Sequence, residues 1–243
     1  MRVRDALAGA ATDHDTDDDA GREWLDAVYA PPPGAFVRLN MISSPTGAAS
    51  GADGTSNTLT SPTDRAILGI IRRHSDAVVV GAATIRAEGY VLPRATRLAI
   101  VTTTGDLDGH RLDADPGRVL LVCPANRVEA VAVRAALPGA QIVPVGGEDD
   151  LEPSAVVEAL AARGVVRVVC EGGPTLAARF ASAGVIDEYC VTVAPVLEPA
   201  RQPFLPVDER VDTTVAGMLV DDAGFSYLRL RARRADPAGA ASR

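Results

Sequence analysis

The sequence predicts an α/β domain with a mixed, mostly parallel central sheet, on the strength of three observations. Short unbroken runs of Val, Ile, Leu and Ala recur along the chain, as in strands that are buried on both faces of a sheet. Helical patterns separate most of these runs, which is typical of parallel strands joined by helical crossovers. The last strand-like segments follow one another without helices, which predicts antiparallel strands at the C-terminal end.

The elements can be placed in order from these patterns. A strand over 36–42 leads into a long polar loop, and Ser61 and Pro62 then predict the start of a helix, with Ser61 as its N-cap. Central strands follow over 77–81, 98–101, 119–123, 141–145 and 165–170, with helices over 127–137 and 153–163. The final strands are predicted over 189–197, 213–220 and 225–230, with a hairpin turn at 221–224.

The segment after the strand at 165–170 is the first candidate for a ligand site. Gly172 and Gly173 allow a ligand to approach the backbone, and Pro174 suits the first turn of a helix. A helix start offers free N–H groups and a partial positive charge, so it can hold a phosphate or pyrophosphate. A tight strand-to-helix turn without a ligand is the alternative interpretation.

Two further strand ends carry glycine and hydroxyl groups, at Gly81–Thr84 and at Thr102–Gly105. Ligands of open α/β sheets bind at the carboxyl ends of the strands, so the three strand ends can meet at one nucleotide. The GxGxxG fingerprint is absent, which argues against an ordinary Rossmann dinucleotide site.

Composition excludes several functions. All 24 basic residues are arginines, so a Schiff-base lysine, a pyridoxal-phosphate anchor and a Walker lysine are ruled out. The net charge of −8 argues against sequence-independent nucleic-acid binding. Neither the three cysteines nor the acidic run at 13–19 has a metal-ligand spacing, so no metal is expected. Without a signal peptide or a long apolar run, we expect no membrane association and a cytoplasmic location.

Five motifs occur in an order that resembles the reductase domain of bifunctional riboflavin-biosynthesis proteins, the pyrimidine reductase family. The resemblance covers roughly 35–231 and rests on the segments at 40–44, 60–65, 79–88, 171–176 and 192–197. The partner deaminase domain of that family is not found, so the chain resembles a stand-alone reductase of the type found in high-GC bacteria.

The resemblance implies a dihydrofolate-reductase-like fold, NADPH as cofactor and a homodimer. It also implies reduction of 5-amino-6-(5-phosphoribosylamino)uracil, with hydride passing to C1′ of the ribose. The expected organisation is a flexible N-terminal arm over 1–33 that can hold a short helix, a reductase domain over 34–235 and a disordered tail over 236–243.

The resemblance also implies the site residues. The expected cofactor-binding residues are Thr58, Gly81, Thr84, Glu88, Thr102, Thr103, Gly172, Gly173, Pro174, Thr175 and Leu176. The expected substrate-binding residues are Asn40, Ser56, Arg72, Leu92, Arg94 and Glu171. Arg72 and Arg94 suit the 5′-phosphate, although either can be a surface residue. The catalytic residue is unknown; Glu171 is the candidate, and its alternative is a structural pair with an arginine.

The sequence departs from the family pattern at two places. The segment 44–48 lacks the carboxylate and the lysine that many relatives carry, and Gly89 and Tyr90 replace an Asp-Pro pair. These departures keep two alternatives open. One is a dihydrofolate or other pteridine reductase on the same fold, and the other is a non-catalytic NADP-binding regulatory protein.

Overall fold

The computed structural model describes residues 1–8, 13–112, 115, 117–146 and 151–233, which build one eleven-stranded sheet. The strands are β1 (Arg2–Asp5), β2 (Asp13–Asp15), β3 (Phe36–Ser43), β4 (Ala77–Gly81), β5 (Arg97–Val101), β6 (Val119–Pro124), β7 (Gln141–Val145), β8 (Arg167–Gly172), β9 (Glu188–Val193), β10 (Thr213–Asp221) and β11 (Ser226–Ala232). The tail expected over 236–243 lies outside the described residues.

Six helices accompany the sheet: α1 (Asp19–Tyr29), α2 (Pro62–Arg73), α3 (Ala82–Glu88), α4 (Val128–Ala135), α5 (Pro153–Ala161) and α6 (Pro174–Ser182). Two short 3-10 turns, Ser56–Thr58 and Ala125–Arg127, complete the regular structure of the described residues. The strand order is β2-β1-β10-β11-β9-β3-β8-β4-β5-β6-β7. The seven strands from β9 to β7 are mutually parallel, and the pairs from β2 to β9 are antiparallel. The predicted mixed, mostly parallel sheet with antiparallel C-terminal strands is therefore confirmed.

The core has a layer on each face of the sheet because side chains alternate along each strand. In β4, Val78 and Val80 face the layer that contains Ile67 and Ile71 of α2. Val79, between them, faces the opposite layer, which is closed by α5 and α6. The cysteines Cys123, Cys170 and Cys190 are all buried on central strands and form no disulfide.

Helix α2 forms for reasons that the sequence makes visible. Ser61 is the N-cap, and its hydroxyl oxygen accepts the backbone N–H of Asp64 at 3.1 Å. Pro62 occupies the first helical position, and the buried isoleucines hold the helix against the sheet. This fixes α2 against one face of the parallel strands.

The N-terminal segment differs from the expected arm. The described part of it supplies β1, which pairs with β10, and β2, which pairs with β1, in addition to the short helix that was allowed for, here α1. The physical reason is burial: Val3 is fully buried, and Leu25 and Tyr29 of α1 pack in the same layer. The acidic residues of β2 stay at the surface, where Arg4 pairs with Asp13 at 2.8 Å.

Strand β9 ends four residues before the predicted boundary. It stops at Val193, after which the N–H of Ala194 still donates to the carbonyl of Ser43. Pro195 follows, and a proline has no N–H with which to continue the ladder.

Candidate active site

A cleft of about 960 Å³ opens at the carboxyl edge of the parallel strands. Its floor comes from the ends of β3, β4, β5 and β8, and its walls from α2, α3, α6 and the loop before α2. Because the carboxyl ends of neighbouring parallel strands share one edge, sequence-distant loops meet here.

Two helix starts lie side by side in this cleft. Helix α3 begins directly after β4, and α6 begins one residue after β8. The N–H of Gly173 donates to the Thr84 hydroxyl oxygen at 2.6 Å, which ties the two helix starts together. A Cβ atom on Gly173 would lie 3.1 Å from that hydroxyl oxygen, so a larger residue would crowd the contact. Gly172 has a φ of +89°, which favours glycine, and the Gly172–Gly173 peptide bond is cis.

The start of α6 leaves backbone donors available. Among the described residues no side chain caps this helix, and Pro174 has no N–H. The N–H groups of Thr175 and Leu176 belong to the first turn, where helical acceptors are missing. Neither finds an acceptor in the described part of the chain. These donors and the helix dipole make the cleft floor attractive to an anion.

An ion pair closes the wall between α2 and β8. Arg72 donates from Nε to Glu171 Oε1 at 2.7 Å and from Nη2 to Glu171 Oε2 at 2.6 Å. The Tyr90 hydroxyl accepts from Arg72 Nη2 at 2.7 Å and donates to Glu171 Oε2 at 2.6 Å. The side chain of Glu171 is 8% exposed and that of Arg72 is 26% exposed. The third guanidinium nitrogen, Nη1, makes no hydrogen bond to the described residues, and Arg72 is one of the residues that line the cleft.

The surroundings of Arg72 and Tyr90 determine their protonation states. Burial opposes the charge of Arg72, but hydrogen bonding and attraction from Glu171 prevail and raise its pKa. Burial raises the pKa of Tyr90 well above its usual value, and the negative charge of Glu171 acts in the same direction. Tyr90 is therefore a neutral hydroxyl between two charged partners at neutral pH.

Glu88 lies at the exposed rim of the same cleft, at the end of α3. Reduced solvation raises its pKa, and the negative charge of Glu171 adds to that effect. Hydrogen bonds from Ser56 act in the opposite direction. Ser56 and Glu88, which were assigned to substrate and cofactor respectively, therefore contact each other.

The structure brings most of the predicted site residues to the cleft. Those that line it are Asn40, Ser56, Arg72, Gly81, Thr84, Glu88, Thr102, Thr103, Glu171, Gly173, Pro174, Thr175 and Leu176. Four of the predicted residues do not line it: Thr58, Gly172, Leu92 and Arg94. Leu92 is partly buried against the core, Arg94 is exposed in the loop before β5, and Gly172 ends β8.

Several polar residues that line the cleft were not assigned to the site by the sequence analysis, among them Tyr90, Thr60 and Asp64. Tyr90 was noted only as a departure from the family pattern, and Thr60 and Asp64 only as parts of a motif and of a helix start. Asp64 gave no distinct signal, since an acidic residue in the first turn of a helix is ordinarily explained by the helix dipole. Tyr90 gave no such signal, because its partners lie 18 and 81 residues away.

The described residues were searched for helices that could cross a membrane and for groups of side chains that could hold a metal ion. None of the helices there combines the length and the apolar character that crossing a membrane requires. In the same residues, no group of three or more His, Cys, Asp or Glu side chains is placed to hold a metal ion.

Comparison with known proteins places this geometry in a family. The family described as RibD C-terminal domain matches residues 35–225. The riboflavin biosynthesis protein RibD of Mycobacterium tuberculosis is 32% identical over 180 residues, which cover 72% of this chain and 46% of that protein. The chain thus spans about half the length of that curated relative.

Solved structures share the fold. A pyrimidine reductase-like protein from Corynebacterium diphtheriae matches with a TM-score of 0.67 and 22% identity, over 83% of this chain and 93% of that one. The riboflavin biosynthesis reductase of Saccharomyces cerevisiae matches with a TM-score of 0.70 and 15% identity, over 89% of this chain and 100% of that one. From the family match and the relative, the chain belongs to the RibD C-terminal domain family, as the five ordered motifs predicted.

Proposed function

We propose that this protein is an NADPH-dependent reductase of 5-amino-6-(5-phosphoribosylamino)uracil in riboflavin biosynthesis. The observation that carries the proposal is the cleft, in which the residues expected from the family surround two adjoining helix starts. Family membership supports an oxidoreductase of this type. We also propose that the enzyme acts as a cytoplasmic homodimer, as the family resemblance implies.

The cleft fits a nicotinamide dinucleotide in its donor chemistry. The N–H groups of Thr175 and Leu176 suit a pyrophosphate, and Gly173 leaves room for a close approach. The hydroxyls of Thr102 and Thr103 lie at the end of β5 and suit the adenosine half. When bound, the cofactor supplies the hydride that reduces an electrophilic carbon of the substrate.

The remaining polar wall suits the substrate. Glu171 and Tyr90 hold the Arg72 guanidinium in one orientation, so that its free Nη1 edge can donate hydrogen bonds into the cleft. Planar arginine donors suit a phosphate or a carbonyl oxygen. The role of this chain's residues is therefore to position the substrate against the nicotinamide in a partly desolvated site.

A pteridine reductase, with dihydrofolate as substrate, is the second candidate. Two observations favour it. Arg94, the second arginine expected at the 5′-phosphate, does not line the cleft. Arg72 is also already paired with Glu171, which leaves less positive charge for a phosphate dianion.

The test is oxidation of NADPH with each substrate in turn. We expect turnover with the deaminated phosphoribosylaminopyrimidine; turnover with dihydrofolate alone would transfer the assignment to the second candidate. Tight binding of NADPH without turnover of either would favour a regulatory protein instead.

The cofactor site is tested by Gly173→Asp, which adds bulk and negative charge beside the Thr84 hydroxyl. We expect affinity for NADPH to fall by about 100-fold, since both the close approach and the local positive potential are lost. Ala132→Asp, which adds the same side chain on the exposed face of α4, is the control and should leave affinity unchanged. Unchanged affinity in folded Gly173→Asp would contradict the proposed pyrophosphate site.

A further inference from the structure

Helix α2 presents a stripe of residues to the cleft, and the function proposed so far uses only one end of it. Four residues of the helix, spaced three or four positions apart, line the cleft: Arg65, Leu68, Gly69 and Arg72. This spacing places them on one face of the helix. At about 1.5 Å per residue, Arg65 and Arg72 lie about 10 Å apart along the helix axis. An arginine therefore stands at each end of the stripe, with a glycine between them.

The arginines that line the cleft differ in whether the protein already satisfies them. Three of them hydrogen-bond other parts of the chain: Arg72, Arg86 and Arg179. Within the residues that the structure describes, the guanidinium of Arg65 makes no hydrogen bond and no ion pair. Its charge acts on the neighbouring Asp64 only through space. Arg65 thus keeps its N–H donors for a ligand.

Gly69 is a second, independent feature of this helix face. It lies in the interior of α2, where a glycine is less stable than an alanine because it loses more backbone freedom on folding. Its φ is not in the left-handed region, and a Cβ atom added to it would meet no other element within 4 Å. Neither backbone geometry nor packing in the described part of the chain therefore requires a glycine. Because Gly69 lines the cleft, the space that a side chain would fill is open to a ligand.

The two features together suit an oxyanion. An oxyanion that lies over Gly69 has a guanidinium on each side, since Arg65 is unengaged and Arg72 keeps its Nη1 group free of hydrogen bonds to the described residues. Arginine binds phosphate and carboxylate through charge-assisted hydrogen bonds, which are roughly twice as strong as neutral ones. The chain has a net charge of −8, so a local pair of arginines also attracts an anion that the rest of the surface repels.

We propose that Arg65 binds the oxyanion at the end of the substrate, across Gly69 from Arg72. This inference rests on the proposed function and deepens it, because the family resemblance assigns the phosphate to Arg72 and Arg94, and Arg94 does not line the cleft. Both candidate substrates end in an oxyanion, which is a phosphate monoester in the phosphoribosylaminopyrimidine and a pair of glutamate carboxylates in dihydrofolate. The recognition chemistry is shared, so the experiment has one arm for each.

The experiment is calorimetric titration of protein saturated with NADP⁺, with two pairs of ligands that differ in the charge at one end. One pair is 5-amino-6-(5-phosphoribitylamino)uracil and its dephosphorylated form, and the other is dihydrofolate and its dimethyl ester. We expect Arg65→Gln to raise the Kd of the charged member about 10- to 100-fold, because charge-assisted hydrogen bonds are lost. The Kd of the uncharged member should stay within about twofold, since its ring contacts are unchanged.

Gly69→Leu separates a ligand site from a structural glycine. Leucine has a high helix propensity and its Cβ atom would meet no other element, so we expect the Tm to rise by about 2–4 °C. The Kd of the charged ligand should rise at least about 10-fold in the same variant, because the leucine fills the space over the helix. A glycine that the fold requires would give the opposite result for the Tm.

Controls separate the position of the charge from its presence. Arg73→Gln removes an exposed arginine of the same helix that does not line the cleft, and it should leave every Kd unchanged. Arg65→Lys keeps the charge but not the planar donors, so it should restore part of the affinity that Arg65→Gln loses. An effect of Arg65→Gln confined to the pyrimidine pair identifies the phosphate as the bound anion, and one confined to the dihydrofolate pair identifies the carboxylates.

The outcomes that overturn the inference can be told apart from failure of the proposed function. A folded Arg65→Gln protein that binds both charged ligands as tightly as wild type would reject the role of Arg65 and leave the proposed function standing. An unchanged Kd in Gly69→Leu would reject the placement of the anion over Gly69. A wild-type protein that neither binds nor reduces either heterocycle would reject both proposals.

Discussion

Two arginine–carboxylate clusters lie on the same sheet and differ in what surrounds them. In one, Glu188 is fully buried and contacts Arg38 at 2.7 Å, Arg229 at 2.9 Å and Arg231 at 2.9 Å. In the other, Glu171 holds Arg72 on the wall of the cleft. We refer to them as the Glu188 cluster and the Glu171 cluster.

The two clusters differ in whether a ligand in the cleft can reach them. The Glu188 cluster is closed by α1: the Tyr29 carbonyl accepts from Arg38 Nη1 at 3.0 Å, and the Val28 carbonyl accepts from Arg229. Glu188 itself is fully buried and the cluster does not line the cleft, so we expect its charges to act on folding. The Glu171 cluster keeps one guanidinium edge open to the cleft, so its charges can act on a ligand. The same residue types thus serve stability in one place and binding in the other.

The largest expected effect is on stability, from Glu188→Gln. Removing this charge leaves three arginines around a neutral side chain, and breaking a buried pair costs about 3–5 kcal/mol. Urea unfolding should show this loss at neutral pH, while NADPH affinity per folded molecule stays unchanged. Glu158→Gln on the exposed face of α5 is the matched control and should change stability by less than about 0.5 kcal/mol. An equal loss in both variants would contradict the distinction between the clusters.

The Glu188 cluster also predicts an acid limit. Burial opposes the charge of Glu188, but the hydrogen bond from Arg229 and the attraction of Arg38 prevail and lower its pKa from 4.5 to about 2. Because the folded-state pKa is lowered, this stabilisation is complete above pH 4.5 and is lost as the pH falls towards about 2. Acid unfolding of wild type should therefore have a component in this window that Glu188→Gln lacks.

Glu171→Gln should separate the two clusters most clearly. Gln keeps the shape and part of the hydrogen bonding, so we expect a stability loss of only about 1 kcal/mol. Arg72 is then held less firmly in its orientation, so kcat/KM for the substrate that the enzyme reduces should fall about 10- to 100-fold. Steady-state kinetics and urea unfolding of the same sample measure both effects. A stability loss as large as that of Glu188→Gln would make the Glu171 cluster structural.

The smallest expected effect comes from Tyr90→Phe. The ring remains, and Arg72 and Glu171 still contact each other directly, so only one hydroxyl is lost. We expect a change of about 0.5–1.5 kcal/mol in substrate binding. Because burial keeps Tyr90 neutral at neutral pH, the pH profile of the reaction should not move. A shifted profile would show that Tyr90 takes part in proton transfer.

The parallel sheet could be predicted because its strands have simple sequences. β4 is an unbroken apolar run that ends in glycine, and β8 has an apolar centre, Val168 to Cys170, before Glu171 and Gly172; such patterns indicate central strands with loops on the ligand side. β1 and β2 could not be predicted, since both are short and polar. β1 depends on pairing with β10, more than 200 residues away, and β2 pairs with β1. Their stability comes from a contact that no local pattern records.

The candidate site was predictable where motifs lie at strand ends, as at Thr84 and Gly173. The pairings between side chains of the site could not be predicted. The sequence left open whether Arg72 binds phosphate and whether Glu171 pairs with an arginine, and the structure shows that they pair with each other across 99 residues. Arg94 was expected to bind the substrate; in the structure it is exposed in the loop before β5 and does not line the cleft, so its role stays a prediction.

The three buried cysteines can report how often the sheet opens locally, because a buried thiol reacts only when it becomes exposed. Burial raises the pKa of Cys170 and of Cys190 to about 12, so neither presents a reactive thiolate while the sheet is closed. Cys170 directly precedes Glu171 on β8, and Cys190 lies two residues after Glu188 on β9. The alkylation rate of each thiol, followed by mass spectrometry, would report how often the sheet opens next to each carboxylate, without any introduced label.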